Sequence, residues 1–359
     1  MIAARAPQRP SDARLLVIAA DGSLTHAART RLPDFLRRGD LVVANDAATL
    51  PASLHGVHCP TGAAIELRLV ARRALAAGDL KHCTALVFGA GDFHMRTEDR
   101  PPPPRLAAGD RLKLGPLDAE IERMLFHPRL IEIRFDGSPA EIWAGVARHG
   151  TPIQYAHVPD PLALWDVWTA IAAMPVAFEP PSAGFALDWG MLAALRERGI
   201  GFVTLTHAAG ISSTGDPALD ALLPFAEPYS IPAGTARAIR RTRAQGGRIV
   251  AGGTTVVRAL EHAAALRGTV CAGLGVADQR VGAETKLDVV DVVLSGAHEP
   301  GSSHYEVLRA FADDLVLRDA NAALDARGYR THEFGDSILV ERRSASHAAF
   351  CARVARAAA

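Results

Sequence analysis

The 359-residue chain reads as an α/β protein: a barrel-like domain with a mostly parallel sheet, into which a small antiparallel β-barrel is inserted. Three observations predict this. Between residues 53 and 151 the apolar residues recur with period two, as in Ile65-Glu66-Leu67-Arg68-Leu69-Val70 and Ile131-Glu132-Ile133-Arg134-Phe135. Gly and Pro clusters separate these runs, and short alternating strands with frequent turns close into a small barrel. After residue 150, apolar strands alternate with helical stretches, the pattern of a parallel sheet, open or closed. The third observation is the stretch from Gly246 to Glu261, in which an apolar run, two glycines, two hydroxyls and a helix follow one another. The expected units are 1–52 with 152–359 for the α/β domain, and 53–151 for the inserted barrel.

Each element follows from its local pattern. Residues 1–14 are rich in Ala, Arg and Pro and read as a frayed end. Residues 15–20 form a strand that stops at Asp21-Gly22, a hairpin signal, and 26–31 pair back onto it. Residues 32–38 make a short helix closed by Gly39, and 41–44 a buried strand ending in Asn45-Asp46. In the inserted unit, strands are expected over 65–70, 85–88, 111–114, 119–126 and 131–135, with a closing helix over 140–148. Helices then follow over 162–173, 188–198, 233–244, 256–266, 303–317 and 318–327. Strands fall over 201–206, 248–251, 287–294 and 337–341.

Composition narrows the class. Lys and Arg number 39 against 39 Asp and Glu, so overall charge neither demands nor excludes nucleic acid, and a local patch decides. Cys59, Cys83, Cys271 and Cys351 are widely spaced with no CxxC pair, which argues against a structural zinc site or a disulfide scaffold. No apolar run approaches ~18 residues, so no membrane span is expected. Residues 1–7 lack a signal-peptide core, and a cytoplasmic protein is expected, a monomer or weak oligomer.

Several stretches carry candidate chemistry. Gly252 and Gly253 let the backbone turn sharply and approach a ligand closely. Thr254 and Thr255 stand where a helix starts, and Arg258 and Glu261, three apart, share a face. This order presents backbone N–H groups to an anionic or polar ligand at a strand's carboxyl end; a plain strand-to-helix turn with a surface ion pair has the same sequence. Asn45-Asp46 places a carboxylate just past a strand, where α/β folds put chemistry, or makes an Asx turn. Pro180-Pro181-Ser182-Ala183-Gly184 is a rigid helix lead-in or a ligand-facing loop with a free hydroxyl. His298 follows a strand that contains Asp291, and serves as acid, base or donor; alternatively Pro300 and Ser302 simply open a helix. Asp336 is a base or a turn carboxylate. If the strand ends converge on one mouth, Asp46, Glu261, His298 and Asp336 gather round one cleft with Arg258, and one of them moves a proton. Gly89-Ala90-Gly91-Asp92 is set aside because no helix follows it. His55, His58 and Cys59 lack a second ligand pair, so no metal site is expected.

In order, these motifs are Asn45-Asp46 with Leu50-Pro51-Ala52 and Gly56; Pro181-Ser182-Ala183-Gly184; Phe202-Val203-Thr204-Leu205; residues 246–261; Asp291 with His298 and Pro300; and Tyr329-Arg330 with Gly335-Asp336. Together they resemble the S-adenosylmethionine:tRNA ribosyltransferase-isomerase family over about residues 14–341, most specifically in G-T-T-x-x-R-x-L-E from Gly253 to Glu261. The resemblance implies an α/β-barrel-like domain with a β-barrel inserted after the N-D element. It implies a transferase of queuosine biosynthesis, in which the ribosyl part of S-adenosylmethionine is moved and isomerised onto 7-aminomethyl-7-deazaguanine in tRNA, giving epoxyqueuosine. S-adenosylmethionine is then a co-substrate and no metal is required. The implied catalytic set is Asp46, Glu261, His298 and Asp336. The implied substrate-binding set is Asn45, Ser182, Gly184, Gly252, Gly253, Thr254, Thr255, Arg258, Asp291 and Ser302. If tRNA binds, the inserted unit and the helix with Arg237, Arg240, Arg241 and Arg243 are its expected contacts. The chain departs from the family pattern at Ala186 and Gly301, where the motifs carry His and Lys; the alternative is a divergent paralogue that binds S-adenosylmethionine or a nucleoside but has another acceptor or no activity.

Overall fold

The computed structural model describes residues 1–5 and 12–343. At its centre is a nine-stranded sheet in the order Gly273–Ala277, Glu227–Ile231, Gly201–His207, Leu41–Asn45, Ile249–Gly252, Val292–Gly296, Ser337–Glu341, Arg14–Ile18, Leu24–Ala28. The middle strands, from Gly201–His207 to Val292–Gly296, are parallel. Leu41–Asn45 and Ile249–Gly252 are buried at every position, as strands covered on both faces must be. Alternate side chains enter two different cores. Leu41, Val43, Ile249 and Ala251 pack against Ile239, Val257 and Leu260 of the helices Ala233–Ala244 and Thr254–Arg267. Val42, Ala44 and Val250 meet Met191 and Leu195 of the helix Trp189–Glu197 on the other face.

The α/β class with an inserted barrel holds, with one refinement: the sheet is open and mixed, with parallel pairing in its middle and between Ser337–Glu341 and Arg14–Ile18. Ser337–Glu341 returns antiparallel to Val292–Gly296, and Glu227–Ile231 with Gly273–Ala277 adds an antiparallel wing. Nothing in the period of an apolar run reports its direction. The wing was also missing from the sequence pattern, because Pro228, Gly273 and Gly275 interrupt its apolar texture.

The inserted unit is a closed antiparallel barrel: Leu117–Met124, Leu130–Phe135, His82–Phe88, Ala63–Arg72, Ser53–His58 and Arg111–Leu114. Its interior is the period-two set, with Leu54, Ile65, Leu67, Val87, Ile131 and Ile133 all buried. The helix Pro139–His149 closes one end, capped by Ser138 and Glu141 in a reciprocal box. A Cβ at Gly145 would lie 2.3 Å from the Leu117 side chain, so a larger residue there would force that leucine to move. Ser53 and Thr151 pair where the chain enters and leaves. Gly89 and Gly91 open no helix; Arg100 crosses the loop and donates to both of their carbonyls, at 3.1 and 2.8 Å. His58 is engaged by Thr61 and Asp110, each at 2.9 Å.

Other elements differ from expectation. Ile2–Ala3 is not frayed but pairs with Arg330–Thr331; residues 6–11 and Cys351 lie outside the described residues. The helix expected over 32–38 is a 3-10 helix, Arg29–Phe35, containing Pro33. Residues 162–173 form only the single turn Leu164–Val167. The helix expected over 303–317 breaks into Ser303–Leu308 and Asp314–Ala326, the second absorbing the one expected over 318–327. Among the described residues no helix is long and apolar enough to cross a membrane.

Candidate active site

A cavity of about 670 Å³ opens between the carboxyl ends of the parallel strands and the barrel loop that carries Arg96, Thr97 and Glu98. A recess of about 70 Å³ continues from it down to Gly253, Thr254, Thr255, Ser295 and Gly296. Both are lined by Glu179, Ser182, Ser212, His298 and His304. This is where an open α/β sheet places its ligand crevice, and the volume falls in the range of nucleoside-sized sites.

The recess is built by the turn seen in the sequence. Ile249–Gly252 ends at Gly253, whose φ of +117° suits glycine, and the chain winds at once into the helix Thr254–Arg267. The amino end of that helix, with its first N–H groups and partial positive charge, forms one wall. Ser182 lies opposite in a 3-10 turn, Ser182–Ala186, and Ser302 caps the helix Ser303–Leu308 at the cavity rim.

The structure brings together Ser182, Gly253, Thr254, Thr255, Arg258, His298 and Ser302. Asn45 stands just behind: its Nδ2 donates to the Thr255 hydroxyl at 3.3 Å and the His207 carbonyl at 2.9 Å, while its Oδ1 accepts from the His207 and Ala47 N–H groups. This is the turn reading of the N-D element, used to lock two strands and a helix. Gly252 is buried against Val43, Ala44 and Leu187 and is outside the lining, and Gly184 packs on Thr169, where a Cβ would come within 2.9 Å.

The expected gathering of carboxylates does not occur. Asp46 accepts from the Thr206 hydroxyl at 2.6 Å and is outside the lining. Glu261 is two turns down its helix, accepting from the N–H groups of Asp288, Val289 and Val290 at 2.8 to 3.1 Å. Asp291 lies at the opposite edge of the sheet, bound to the Ile249 N–H and Arg342. Asp336 reaches the right edge, but its fully buried carboxylate faces Arg14 and the Arg330 N–H. A closed barrel turns all such ends inward; this open sheet, with Ser337–Glu341 reversed, does not. Arg258 lines the recess, yet its guanidinium is held by Glu227 and by the carbonyls of Phe225, Ala277 and Gln279.

Residues with no motif of their own supply the cavity chemistry. Glu179, 6 % exposed, accepts from the Tyr155 hydroxyl and, through Oε2, from the Ser212 N–H at 3.0 Å. Burial pushes its carboxyl up to about 7, and Glu333 adds to the rise. Burial also works to raise Glu333, but the hydrogen bond and charge of His157 prevail and hold it near 2. Burial, with His304 next in effect, keeps His298 well below the usual imidazole range; the two rings stack at 4.4 Å and 13°. Burial likewise lowers His304. Both are neutral imidazoles at pH 7. His207, wholly buried behind Asn45, is held neutral at about 3 by burial and then Arg258.

The described residues with ligand atoms close enough to hold a metal ion are His157, His332 and Glu333, all within 4.8 Å of one another. The two rings stack at 4.3 Å and 20°, so their in-plane lone pairs run side by side instead of converging on one point. The trio is a hydrogen-bonded His157–Glu333 pair with a stacked imidazole, lying on the cavity wall.

Comparison with known proteins gives this geometry a family. A family model described as "Queuosine biosynthesis protein" matches residues 1–340. An S-adenosylmethionine:tRNA ribosyltransferase-isomerase of Methylobacterium sp. (strain 4-46) is 33% identical, over 94% of this chain and 94% of its own. One of the same name from Sorangium cellulosum (strain So ce56) is 34% identical over 95% of each chain. The crystal structure of S-adenosylmethionine tRNA ribosyltransferase from Thermotoga maritima shares the fold, with a TM-score of 0.50 at 24% identity over 94% of this chain and 96% of that one. The chain belongs to the queuosine biosynthesis protein family.

Proposed function

We propose that the protein is an S-adenosylmethionine:tRNA ribosyltransferase-isomerase, which moves the ribosyl part of S-adenosylmethionine onto 7-aminomethyl-7-deazaguanine in tRNA, yielding epoxyqueuosine and releasing adenine and methionine. The observation that carries this is the match to relatives of that name along almost the whole of both chains. The cavity suits the reading. S-adenosylmethionine spans the recess and the outer cavity, with its polar groups at the helix amino end, Ser182 and the Thr254 and Thr255 hydroxyls. The sulfonium acidifies its neighbouring C–H bonds, so activation comes from the co-substrate and needs no metal. His298, a neutral imidazole on the wall, is positioned to hydrogen-bond the departing adenine. Asn45 and Arg258 hold the wall in shape. Asp46, Glu261, Asp291 and Asp336 act on the scaffold, through the bonds described above.

One observation favours a different acceptor. Gly301, where the family motif has Lys, leaves that part of the cavity rim without a side chain. The test covers both readings: purified protein, S-adenosylmethionine and tRNA carrying the aminomethyl base, with adenine measured by chromatography. One adenine per base converted is expected, and none from unmodified tRNA. Absence of adenine with either tRNA overturns the ribosyltransferase reading; adenine with unmodified tRNA alone establishes another acceptor.

A further inference from the structure

We propose that Glu179, positioned by Tyr155, is the catalytic residue that carries the proton in the ribosyl-transfer reaction, an assignment that rests on the reading above. Place is the first argument. Glu179 stands at the junction, lining both the recess and the outer cavity, so any ligand that spans the two passes its carboxyl. Of the other cavity carboxylates, Glu299 is exposed to solvent and the rest are engaged. Glu227 is spent on Arg258 and the Gly210 N–H. Asp220 accepts from the Thr214 N–H and hydroxyl, both at 2.6 Å, and Glu333 is bound by His157. Glu98 lies at the exposed mouth beside Arg96.

The second argument is the setting of the carboxyl. It is removed from water, and each oxygen has a fixed donor: the Tyr155 hydroxyl on Oε1 and the Ser212 N–H on Oε2. Tyr155 is itself fixed, since the Ser213 N–H and carbonyl lie 3.3 and 3.2 Å from its hydroxyl and the Arg68 guanidinium sits 5.7 Å from its ring. Such a carboxyl keeps its direction while it gains or loses a proton. Tyr155 and Glu333 act on it directly, Arg68 sits over the Tyr155 ring, and His157, His298 and His304 line the same cavity. Two neighbouring carboxyls with protonation pushed apart, Glu179 up and Glu333 down, form the pattern that separates a proton carrier from a permanent anion.

The step balances without a further reactant. The Glu179 carboxylate accepts a proton from the carbon beside the sulfonium. The C–H bond breaks, an O–H bond forms, and the electron pair stays on carbon against the positive sulfur. The glycosidic C–N bond then breaks with its electron pair going to the adenine nitrogen, which takes the proton from the neutral Glu179 acid and so restores the carboxylate.

The experiment compares wild type, Glu179→Gln and Tyr155→Phe for adenine release across pH, with S-adenosylmethionine binding by calorimetry and melting temperature measured on the same samples. Glu179→Gln keeps the shape and one acceptor oxygen; it should bind S-adenosylmethionine within a fewfold of wild type and lose about 10²–10⁴-fold in rate. Tyr155→Phe removes a donor that favours the ionised carboxyl, so the acidic limb of the rate profile should move to higher pH. A merely structural role would change the melting temperature and leave that limb in place. Adenine release by folded Glu179→Gln within threefold of wild type overturns this assignment alone. A wild type that releases no adenine overturns the assignment together with the function on which it rests.

Discussion

Arg258 is the residue for which sequence and structure make opposite predictions. In the G-T-T-x-x-R-x-L-E element it has the look of a ligand contact. In the fold it is 3 % exposed and binds Glu227, itself buried, and three backbone carbonyls at 2.8 to 3.3 Å, tying the helix Thr254–Arg267 to the antiparallel wing. Removing one partner of such a pair strands a buried charge, which costs about 3–5 kcal/mol. At about 2–4 °C per kcal/mol for domains of a few hundred residues, Arg258→Ala should melt about 6–20 °C below wild type. The sign with pH is also fixed. Burial already raises the Glu227 carboxyl, with Arg258 opposing it, so without Arg258 it rises further. A raised carboxyl supports the fold below its unfolded value of about 4.3 and withdraws that support as pH climbs through the folded value. The deficit should therefore be small near pH 5 and grow toward pH 8. Replacing both partners, Arg258→Met with Glu227→Leu, removes the stranded charge and should recover part of the loss. Thermal melts of the three proteins at several pH values test this. A melting temperature within 1 °C of wild type at every pH, with S-adenosylmethionine binding abolished, would refute the argument and restore Arg258 as a ligand contact.

Two further outcomes follow from placement. Glu261→Gln should cost about 1–3 kcal/mol, because a carboxylate that closes the 288–290 turn becomes an amide that presents donors to donors; calorimetry should show unchanged S-adenosylmethionine affinity, and a lost affinity at unchanged stability would place Glu261 at the ligand instead. Arg237, Arg240, Arg241 and Arg243 are all exposed on the helix Ala233–Ala244, which runs from beside Thr204 to Gly247 packed on Gly39, away from the cavity. Replacing all four by Ala should flatten the salt dependence of tRNA binding by about 0.7 for each phosphate that an arginine no longer neutralises, and leave the maximal rate intact; an unchanged slope removes this face from the tRNA interface.

The fold was legible wherever burial imposes a period. The barrel strands alternate because one face of each is interior, so Ile65, Leu67, Ile131 and Ile133 announce themselves. The central strands read as continuous apolar runs because helices cover both faces. What failed were segments whose conformation is set by distant partners. Residues 162–173 have helical composition, but the Trp168 Nε1 donates to the Thr49 carbonyl at 2.9 Å and the Ala173 N–H to the Asp46 carbonyl at 2.8 Å, which hold the chain open after one turn. The break between Leu308 and Asp314 is likewise tertiary: Phe311 is fully buried and its carbonyl takes the Arg343 N–H at 2.9 Å. Strand direction has no local signal at all, and the reversed Ser337–Glu341 decides where Asp336 points.

The site divides along the same line. Backbone requirements leave marks in a sequence, because only glycine takes the φ of Gly253 and Ser or Pro is favoured at the turns that frame the recess. Those marks fall on residues that line the recess. Side-chain chemistry leaves a weaker mark, because a carboxylate looks the same whether it caps a loop or transfers a proton. The difference lies in what surrounds it. Glu261 faces three N–H groups, which hold it as a structural anion. Glu179 faces a phenol, one N–H and another carboxyl, and is buried, which keeps its protonation in balance. Glu179 occurs as a single Glu before Pro180-Pro181-Ser182, with Tyr155 and His157 in a stretch that has no period of its own. The usable signal was adjacency: a lone acidic residue directly before a rigid Pro-Pro-Ser turn is carried by that turn to whatever the turn faces. The same holds for His304, which follows the Ser302-Ser303 helix start and is delivered to the cavity by it. In a sheet that presents its ligand at strand ends, the residues flanking the turns are therefore better candidates for chemistry than the charged residues one or two helical turns beyond them.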